Sequence, residues 1–200
     1  MRRIDEFWVE FNHPEDDEIE PAGILMRYLY DTVDSLKGAV LVVFLVFALC
    51  VRVVGVEGDS MNPTLDSGDW LAVSGVLTDF DRGDIVVVTQ PWERNVPIIK
   101  RVIAVGGDTI DINFRTHEVF VNGVLLDEPY IAQPTSLHYD VEFPLTVDEG
   151  KLFVMGDNRN DSLDSRSSAI GLVDERYVLG KAFLRFLPSF AWIDDEQGNK

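Results

Sequence analysis

The sequence contains very little cysteine and few basic residues. Its 200 residues include one cysteine, Cys50, so no intrachain disulfide can form and the fold must depend on its hydrophobic core. Lysine and arginine number 17 against 35 aspartates and glutamates, which gives a formal net charge of -18. Because nucleic-acid backbones are bound through clusters of lysine and arginine, this balance argues against a nucleic-acid partner.

Long hydrophobic runs are also scarce, with one exception. The segment GAVLVVFLVFALCV, Gly38 to Val51, is apolar without a break and would span roughly 21 Å as a helix. Its extension through Arg52 to Val56 spans roughly 28 Å, close to the bilayer hydrocarbon thickness of about 30 Å, with the Arg52 side chain free to reach the surface. We therefore predict a transmembrane anchor over residues 38–56.

Two alternatives to a membrane anchor are a buried core helix and a cleavable export signal. A core helix that is apolar all round would need another large apolar surface to receive it. An export signal would have an n-region of about thirty-five residues that is rich in acids, and no A-x-A-like site follows the run. The anchor is thus the better interpretation of this segment.

The charges around the anchor predict its orientation. Arg27 and Lys37 precede it, whereas no lysine or arginine lies between Val53 and Arg82. By the positive-inside rule, residues 1–37 form a cytoplasmic acidic tail and juxtamembrane helix, and everything after the anchor is extracytoplasmic. The acidic run PEDDEIE within that tail is interpreted as a solvated segment.

After the anchor, the sequence is typical of an antiparallel β domain covering residues 57–200. Short runs rich in β-branched and aromatic residues, such as DIVVV, VPIIKRVIAV and KLFVMG, are separated by glycine, proline, aspartate and asparagine turns. Looser patterning between about 111 and 149, with three prolines and a VNGV hairpin turn, indicates a small insertion. We expect the core of the domain to be built from 57–110 and 150–188.

Several short segments follow one another in a distinctive order. GDSMNPTL (58–65) comes just after the anchor, followed by GDW, RGDIVVV, KRVIAVGGDTI (100–110) and GDNRNDSLDSR (156–166). This series, covering most of the chain from about Val56 to Pro188, resembles type I signal peptidases, and the single anchor with a short insertion is similar to their Gram-positive form. GDSM alone is a weak signal, whereas the eleven-residue segment is a strong one.

The resemblance implies a fold and an activity. The fold would be mainly β, an antiparallel sheet or partial barrel with a small β insertion, preceded by one N-terminal transmembrane helix. The activity would be that of a membrane-bound serine endopeptidase that removes N-terminal signal peptides from exported preproteins. Its partners would be those preproteins and the lipid bilayer, with no metal or organic cofactor.

A serine nucleophile needs a base within hydrogen-bond reach, and the histidines are poorly placed to supply one. His13 lies in the acidic tail, while His117 and His138 fall in the expected insertion. Lys100 is the alternative, because the segment VPIIK places it at the end of an apolar strand. Burial disfavours an ammonium and lowers its pKa, from about 10.4 toward the roughly 7 to 8 that a general base requires.

The family resemblance implies Ser60 as nucleophile and Lys100 as its general base. It further implies that the Ser162 hydroxyl orients the lysine amine. The residues Asp157, Asp164, Arg166 and Arg101 would support the site structurally. The Ser60 N–H would stabilise the oxyanion, while Gly58 stands where some relatives carry a second, hydroxyl donor.

A calcium loop can be set aside, whereas two other interpretations remain open at this level. The acidic segment has Asp157 and Asp161 at alternate positions, but arginine at position 159 and serine at 162 and 168 do not fit a calcium loop, so we predict no metal. A self-cleaving repressor shares the Ser-Lys chemistry but needs an N-terminal DNA-binding domain. A catalytically inactive membrane scaffold would not need intact serine and lysine residues.

Overall fold

The computed structural model describes residues 21–76, 79–89 and 96–193. The acidic run at 14–20 therefore lies outside the described residues. The first described element is one long helix, α1 (Pro21–Cys50). Its segment Leu25–Cys50 contains an 18-residue window with a mean hydropathy of 2.2, and it is the one helix among the described residues that is long and apolar enough to cross a membrane. The segments expected to be a juxtamembrane helix and an anchor thus form one continuous helix.

The helix ends at Cys50, six residues before the predicted end of the anchor. Residues Val51–Gly55 instead form strand β1, whose residues Val51 and Gly55 pair with Ser74 and Trp70. The apolar run continues here with β-branched valines, which suit a pleated strand as well as a membrane helix. Arg52 donates a hydrogen bond from Nη1 to the Leu179 carbonyl oxygen at 3.0 Å rather than extending freely.

All strand pairs are antiparallel and the described chain is mainly β, so the predicted fold class is confirmed. Besides β1, the larger sheet contains β2 (Trp70–Ser74), β3 (Ile85–Val88), β4 (Ile98–Val105), β9 (Lys151–Met155), β10 (Val173–Asp174), β11 (Val178–Leu187) and β12 (Ala191–Trp192), with a 3₁₀ turn at Glu175–Tyr177. Its strand order is β1-β2-β11-β3-β4-β9-β10, with β12 paired to β11.

The second sheet lies within residues 109–146, close to the segment expected to be an insertion. Its strands are β5 (Thr109–Asn113), β6 (Glu118–Val121), β7 (Val124–Leu125) and β8 (Leu145–Thr146), in the order β7-β6-β5-β8. Buried side chains of β5 and β6, such as Ile110 and Val119, form one core cluster with Phe153 of β9. This shared core attaches the second sheet to the larger one.

A second core cluster lies under the loop between β1 and β2. Met61 and Leu65 of this loop are 1% exposed and pack with Val56, Leu71, Val73, Ile85, Val87 and Ala182. These two buried side chains, four positions apart, hold the loop against the sheet, because moving either one would open a cavity in the core. The residues before and between them are thereby held in place.

Candidate active site

Ser60 lies at the start of a tight turn in the loop between β1 and β2. The Asn62 N–H donates to the Asp59 carbonyl oxygen at 3.1 Å, and the Leu65 N–H donates to the Met61 carbonyl oxygen at 3.0 Å. We call residues 59–65 the serine turn. Because the side chain that follows Ser60 is anchored in the core, the position of the serine hydroxyl is fixed by packing as well as by the turn.

Lys100 lies on β4, where it pairs with Val86 of β3 and is 3% exposed. Its Nζ donates a hydrogen bond to Ser60 Oγ at 2.7 Å and another to the Ile99 carbonyl oxygen at 3.1 Å. The structure thus brings together the serine and the lysine that the sequence singles out. At this distance a neutral amine can accept the hydroxyl proton directly.

Burial lowers the pKa of Lys100 from its usual 10.5 to about 8. The negative charges of Asp164 and Asp157 oppose this shift, and the positive charge of Arg166 adds to it. The described residues place no carboxylate within ion-pair distance of the amine. Desolvation therefore dominates, and the amine is neutral in a useful fraction of molecules slightly above neutral pH.

A cavity of about 520 Å³ opens beside the two side chains. It is lined by residues 54–58, 60, 61 and 96–100, and Glu57, Ser60 and Lys100 are the only polar side chains among them. One wall is β1, which is the terminal strand of the larger sheet and pairs only with β2 among the described strands. We call this cavity the groove; it offers unpaired strand backbone next to a serine and a lysine.

A buried ion pair lies next to Lys100 in sequence. Arg101 is 1% exposed, and its Nε and Nη2 donate to the two carboxylate oxygens of Asp157 at 2.8 and 2.7 Å. Its Nη1 donates to the Gly83 carbonyl oxygen at 2.7 Å, and its guanidinium lies 4.1 Å from the centre of the Tyr130 ring. Thr64 Oγ1 also donates to Asp157, at 2.5 Å, so the pair is tied to the serine turn.

A second buried ion pair joins Asp164 to Arg166, with both contacts at 2.8 Å. Asp164 also accepts from the Gly156 N–H at 3.1 Å, and Arg166 Nη2 donates to the Arg159 carbonyl oxygen at 2.7 Å. These bonds hold the loop after β9 in a single shape. The four residues expected to support the site therefore form two separate aspartate–arginine pairs.

Ser162 does not make the hydrogen bond expected of it. Its side chain is 3% exposed, and its Oγ has no hydrogen-bond partner among the described residues, while the Ile99 carbonyl oxygen is the second partner of the lysine amine. Ser162 instead packs against Gly156, where any Cβ would overlap both the Ser162 side chain and the Ser60 carbonyl oxygen. Its hydroxyl is thus buried close to the serine turn but unpaired.

Several residues of the site escape sequence reasoning. Arg159 is fully buried, pairs with Glu128 at 2.5 Å and donates to Thr135 Oγ1 at 3.0 Å. Arg159 belongs to the segment GDNRNDSLDSR, and its place in that motif could have marked it as a residue that supports the site. Glu128, Thr135 and Tyr130 lie in the expected insertion, and nothing in their spacing marks them.

The histidines and possible metal ligands lie apart from this arrangement. His117 Nδ1 is 3.2 Å from the Thr135 carbonyl oxygen, and the rings of His138 and Phe114 form a T-shaped contact with centroids 4.5 Å apart. His13 lies outside the described residues. Within the described part of the chain, no group of three or more histidine, cysteine, aspartate or glutamate side chains is arranged to hold a metal ion.

Comparison with known proteins adds a second line of observation. The family model described as "Signal peptidase, peptidase S26" matches residues 29–187. A signal peptidase I of Bacillus licheniformis is 37% identical over 170 residues, which cover 80% of this chain and 89% of that protein. A probable signal peptidase I-1 of Synechocystis sp. is 36% identical over 167 residues, or 76% and 82% of the two chains. A solved signal peptidase I from Enterococcus faecalis V583 is 32% identical and has a TM-score of 0.42, covering 52% of this chain and 96% of that one.

Proposed function

The chain belongs to the signal peptidase family, peptidase S26, and is therefore a peptidase; we propose that it is a membrane-bound serine endopeptidase that removes signal peptides from exported preproteins. The observation that carries the mechanism is the 2.7 Å hydrogen bond between Lys100 Nζ and Ser60 Oγ inside the groove. Neither metal nor organic cofactor has a role in this proposal.

The reaction begins with the neutral form of Lys100. Its amine takes the proton of the Ser60 hydroxyl as Oγ attacks the scissile carbonyl carbon, and the Ser60 N–H stabilises the oxyanion. The resulting ammonium gives that proton to the departing amine, which is the new N-terminus of the mature protein. A water molecule then hydrolyses the acyl-enzyme, with Lys100 again acting as base and Ser60 regaining its proton.

The groove suggests how the substrate is held. An extended signal-peptide segment lies along the free edge of β1, and backbone hydrogen bonds supply affinity. The apolar lining around Val56, Met61 and Ile99 forms shallow pockets that favour small side chains at the cleavage site. These contacts also remove water from Lys100, which keeps its amine neutral.

We further propose that α1 anchors the enzyme in the cell membrane as a single span. By the positive-inside rule, Arg27 and Lys37 favour a cytoplasmic N-terminus, and the β domain would then be extracytoplasmic, on the side to which preproteins are exported. Ten residues of chain separate the end of α1 at Cys50 from Ser60, which limits their separation to about 36 Å. Ser60 therefore stays within reach of the membrane surface.

The test is cleavage of a preprotein by the detergent-solubilised full-length chain, followed by N-terminal sequencing of the product. Ser60→Ala and Lys100→Ala should each abolish cleavage. The matched controls are Ser136→Ala and Lys151→Ala, whose side chains lie away from the groove and should leave the rate unchanged. Full activity in either dyad variant, or a product cut away from the signal-peptide boundary, would overturn the proposal.

A further inference from the structure

Asn158, in the loop after β9, holds the backbone of the serine turn at two points. Its backbone N–H donates to the Ser60 carbonyl oxygen at 3.1 Å. Its side-chain Nδ2 donates to the Asp59 carbonyl oxygen, also at 3.1 Å. The Asp59 carbonyl additionally accepts the Asn62 N–H of the turn itself, so both of its lone pairs are occupied.

The Asp59 carbonyl and the Ser60 N–H belong to the same peptide group. This peptide is trans, so the two groups point in opposite directions from one rigid plane. The Ser60 N–H donates no hydrogen bond to any described residue. Because Asn158 holds the Asp59 carbonyl, the unpaired Ser60 N–H points away from the loop after β9. A donor for the oxyanion must be free and directed in this way.

We propose that Asn158 is a positioning residue for the oxyanion donor, acting through its side-chain amide on the peptide between Asp59 and Ser60. The inference rests on the proposed function, because it assigns a role within that reaction. The amide donor also polarises the peptide, which makes the N–H at its other end a stronger donor.

The local sequence explains why such a restraint is needed. The peptide can rotate about the bonds to the Cα atoms of Asp59 and Ser60, and the chain enters it through Gly58, whose φ of +86° is a conformation that few residues other than glycine adopt. Without the Asn158 side chain, only one hydrogen bond to the Asp59 carbonyl oxygen, from the Asn62 N–H, would resist rotation of the peptide among the described residues. A rotated peptide would present its carbonyl oxygen to the developing negative charge, which would repel it.

The experiment compares Asn158→Asp and Asn158→Ala with the wild-type full-length enzyme on one preprotein. The aspartate variant keeps the size of the side chain but cannot donate from it, and both variants keep the backbone N–H bond to Ser60. Complete loss of an oxyanion donor costs about 10²- to 10³-fold in kcat, so a misdirected donor should lower kcat by about 10- to 100-fold. KM should stay within about twofold, since the groove itself is untouched.

A second measurement separates this role from general loosening of the loop. A peptide aldehyde adds to Ser60 and forms a tetrahedral oxyanion, so its affinity should fall by the same factor as kcat. The affinity of the cleaved signal peptide, which forms no oxyanion, should not change. The control is Asn160→Ala, in the same loop; among the described residues, the Asn160 side chain forms hydrogen bonds only with residues 133–137.

The possible results are distinguishable. An unchanged kcat in both Asn158 variants would overturn the inference, as would an equal fall in Asn160→Ala or unchanged aldehyde affinity. If the wild-type chain does not cleave, or if Ser60→Ala still does, the proposed function itself fails. Circular dichroism and thermal unfolding of each variant show whether it is folded, and the aspartate variant carries the test if the alanine variant is not.

Discussion

The two sides of the serine turn differ in how they accommodate buried positive charge. On the groove side, the Lys100 amine meets a hydroxyl and a carbonyl oxygen. On the other side, Arg101 donates hydrogen bonds to Asp157 and the Gly83 carbonyl oxygen, and a separate cavity of about 420 Å³ borders it. The two cavities share no lining residue, so Lys100 and Arg101 border different spaces.

The difference shows how one strand can supply both rigidity and a base. A buried guanidinium with a bidentate carboxylate stays charged and fixes its surroundings. A buried lysine without such a partner loses its proton more readily. The carboxylates that stabilise the turn are each paired with an arginine, so their effect on the amine is reduced. Replacement by methionine should therefore lower the stability of the fold at position 101 and raise it at position 100.

The largest expected effect is that of Arg101→Met. It leaves the fully buried Asp157 carboxylate without its cationic partner, which should lower the free energy of unfolding by about 3 to 5 kcal/mol. Urea unfolding of the detergent-solubilised chain measures this. The double variant Arg101→Met/Asp157→Leu removes both charges and should recover much of the loss. A loss under about 1 kcal/mol in the single variant would mean that the pair is not important for stability.

Lys100→Met should have the opposite effect. The pKa of Lys100 is about 8 in the folded protein against 10.5 normally, so below pH 8 folding must bury an ammonium at a cost of about 3 kcal/mol. Between pH 8 and 10.5 the unfolded chain binds a proton that the folded chain does not, and the stability of the wild type rises with pH. The methionine variant lacks this dependence.

Urea unfolding at a series of pH values tests the prediction. The variant should be more stable than the wild type by a margin that is constant below pH 8 and decreases by about 3 kcal/mol as the pH approaches 10.5. Lys151→Met, at an exposed position paired with Asp148, is the control and should show no such change. A margin that is independent of pH would contradict a lowered pKa at position 100.

Adding a carboxylate beside Lys100 would make the groove side of the serine turn more like the Arg101 side. Ile99→Glu places an acid in the lining next to Lys100, which favours the ammonium and should raise its pKa by about one unit. Since the neutral amine is the active form, the rise in kcat/KM expected for the wild type near pH 8 should move to about pH 9. Ile99→Gln controls for the change in shape. Identical pH profiles for the two variants would show that the amine does not control the rate.

The residues on the two sides of the serine turn could largely be predicted from the sequence. Where a prediction from the sequence failed, the reason is physical. Ser60 and Lys100 lie in separate motifs, and an apolar strand leading into a lysine already indicates burial. The end of α1 could not be located, because consecutive valines suit a membrane helix and a strand equally, and only pairing with β2 decides between them. The contacts of Thr64 and Tyr130 with the Arg101 pair depend on tertiary packing, which leaves no periodic signal.

The smallest expected effect concerns the link between the two sides. Thr64→Val removes one donor to Asp157 while Arg101 retains both of its bonds to that carboxylate, so the loss of stability should be about 1 kcal/mol. Thr64→Ser keeps the hydroxyl and should lose less. Activity should fall only a few-fold, because Met61 and Asn158 still hold the serine turn.

A double-mutant cycle with Arg101→Lys tests whether Thr64 acts through Asp157. A lysine cannot reproduce the bidentate contact, so the threonine hydroxyl becomes a larger share of the donors that satisfy the carboxylate. Thr64→Val should therefore cost more in the Arg101→Lys background than in the wild type, by about 0.5 kcal/mol or more. Equal costs in the two backgrounds would mean that the turn and the ion pair are stabilised independently, and that the buried charges do not help to position Ser60.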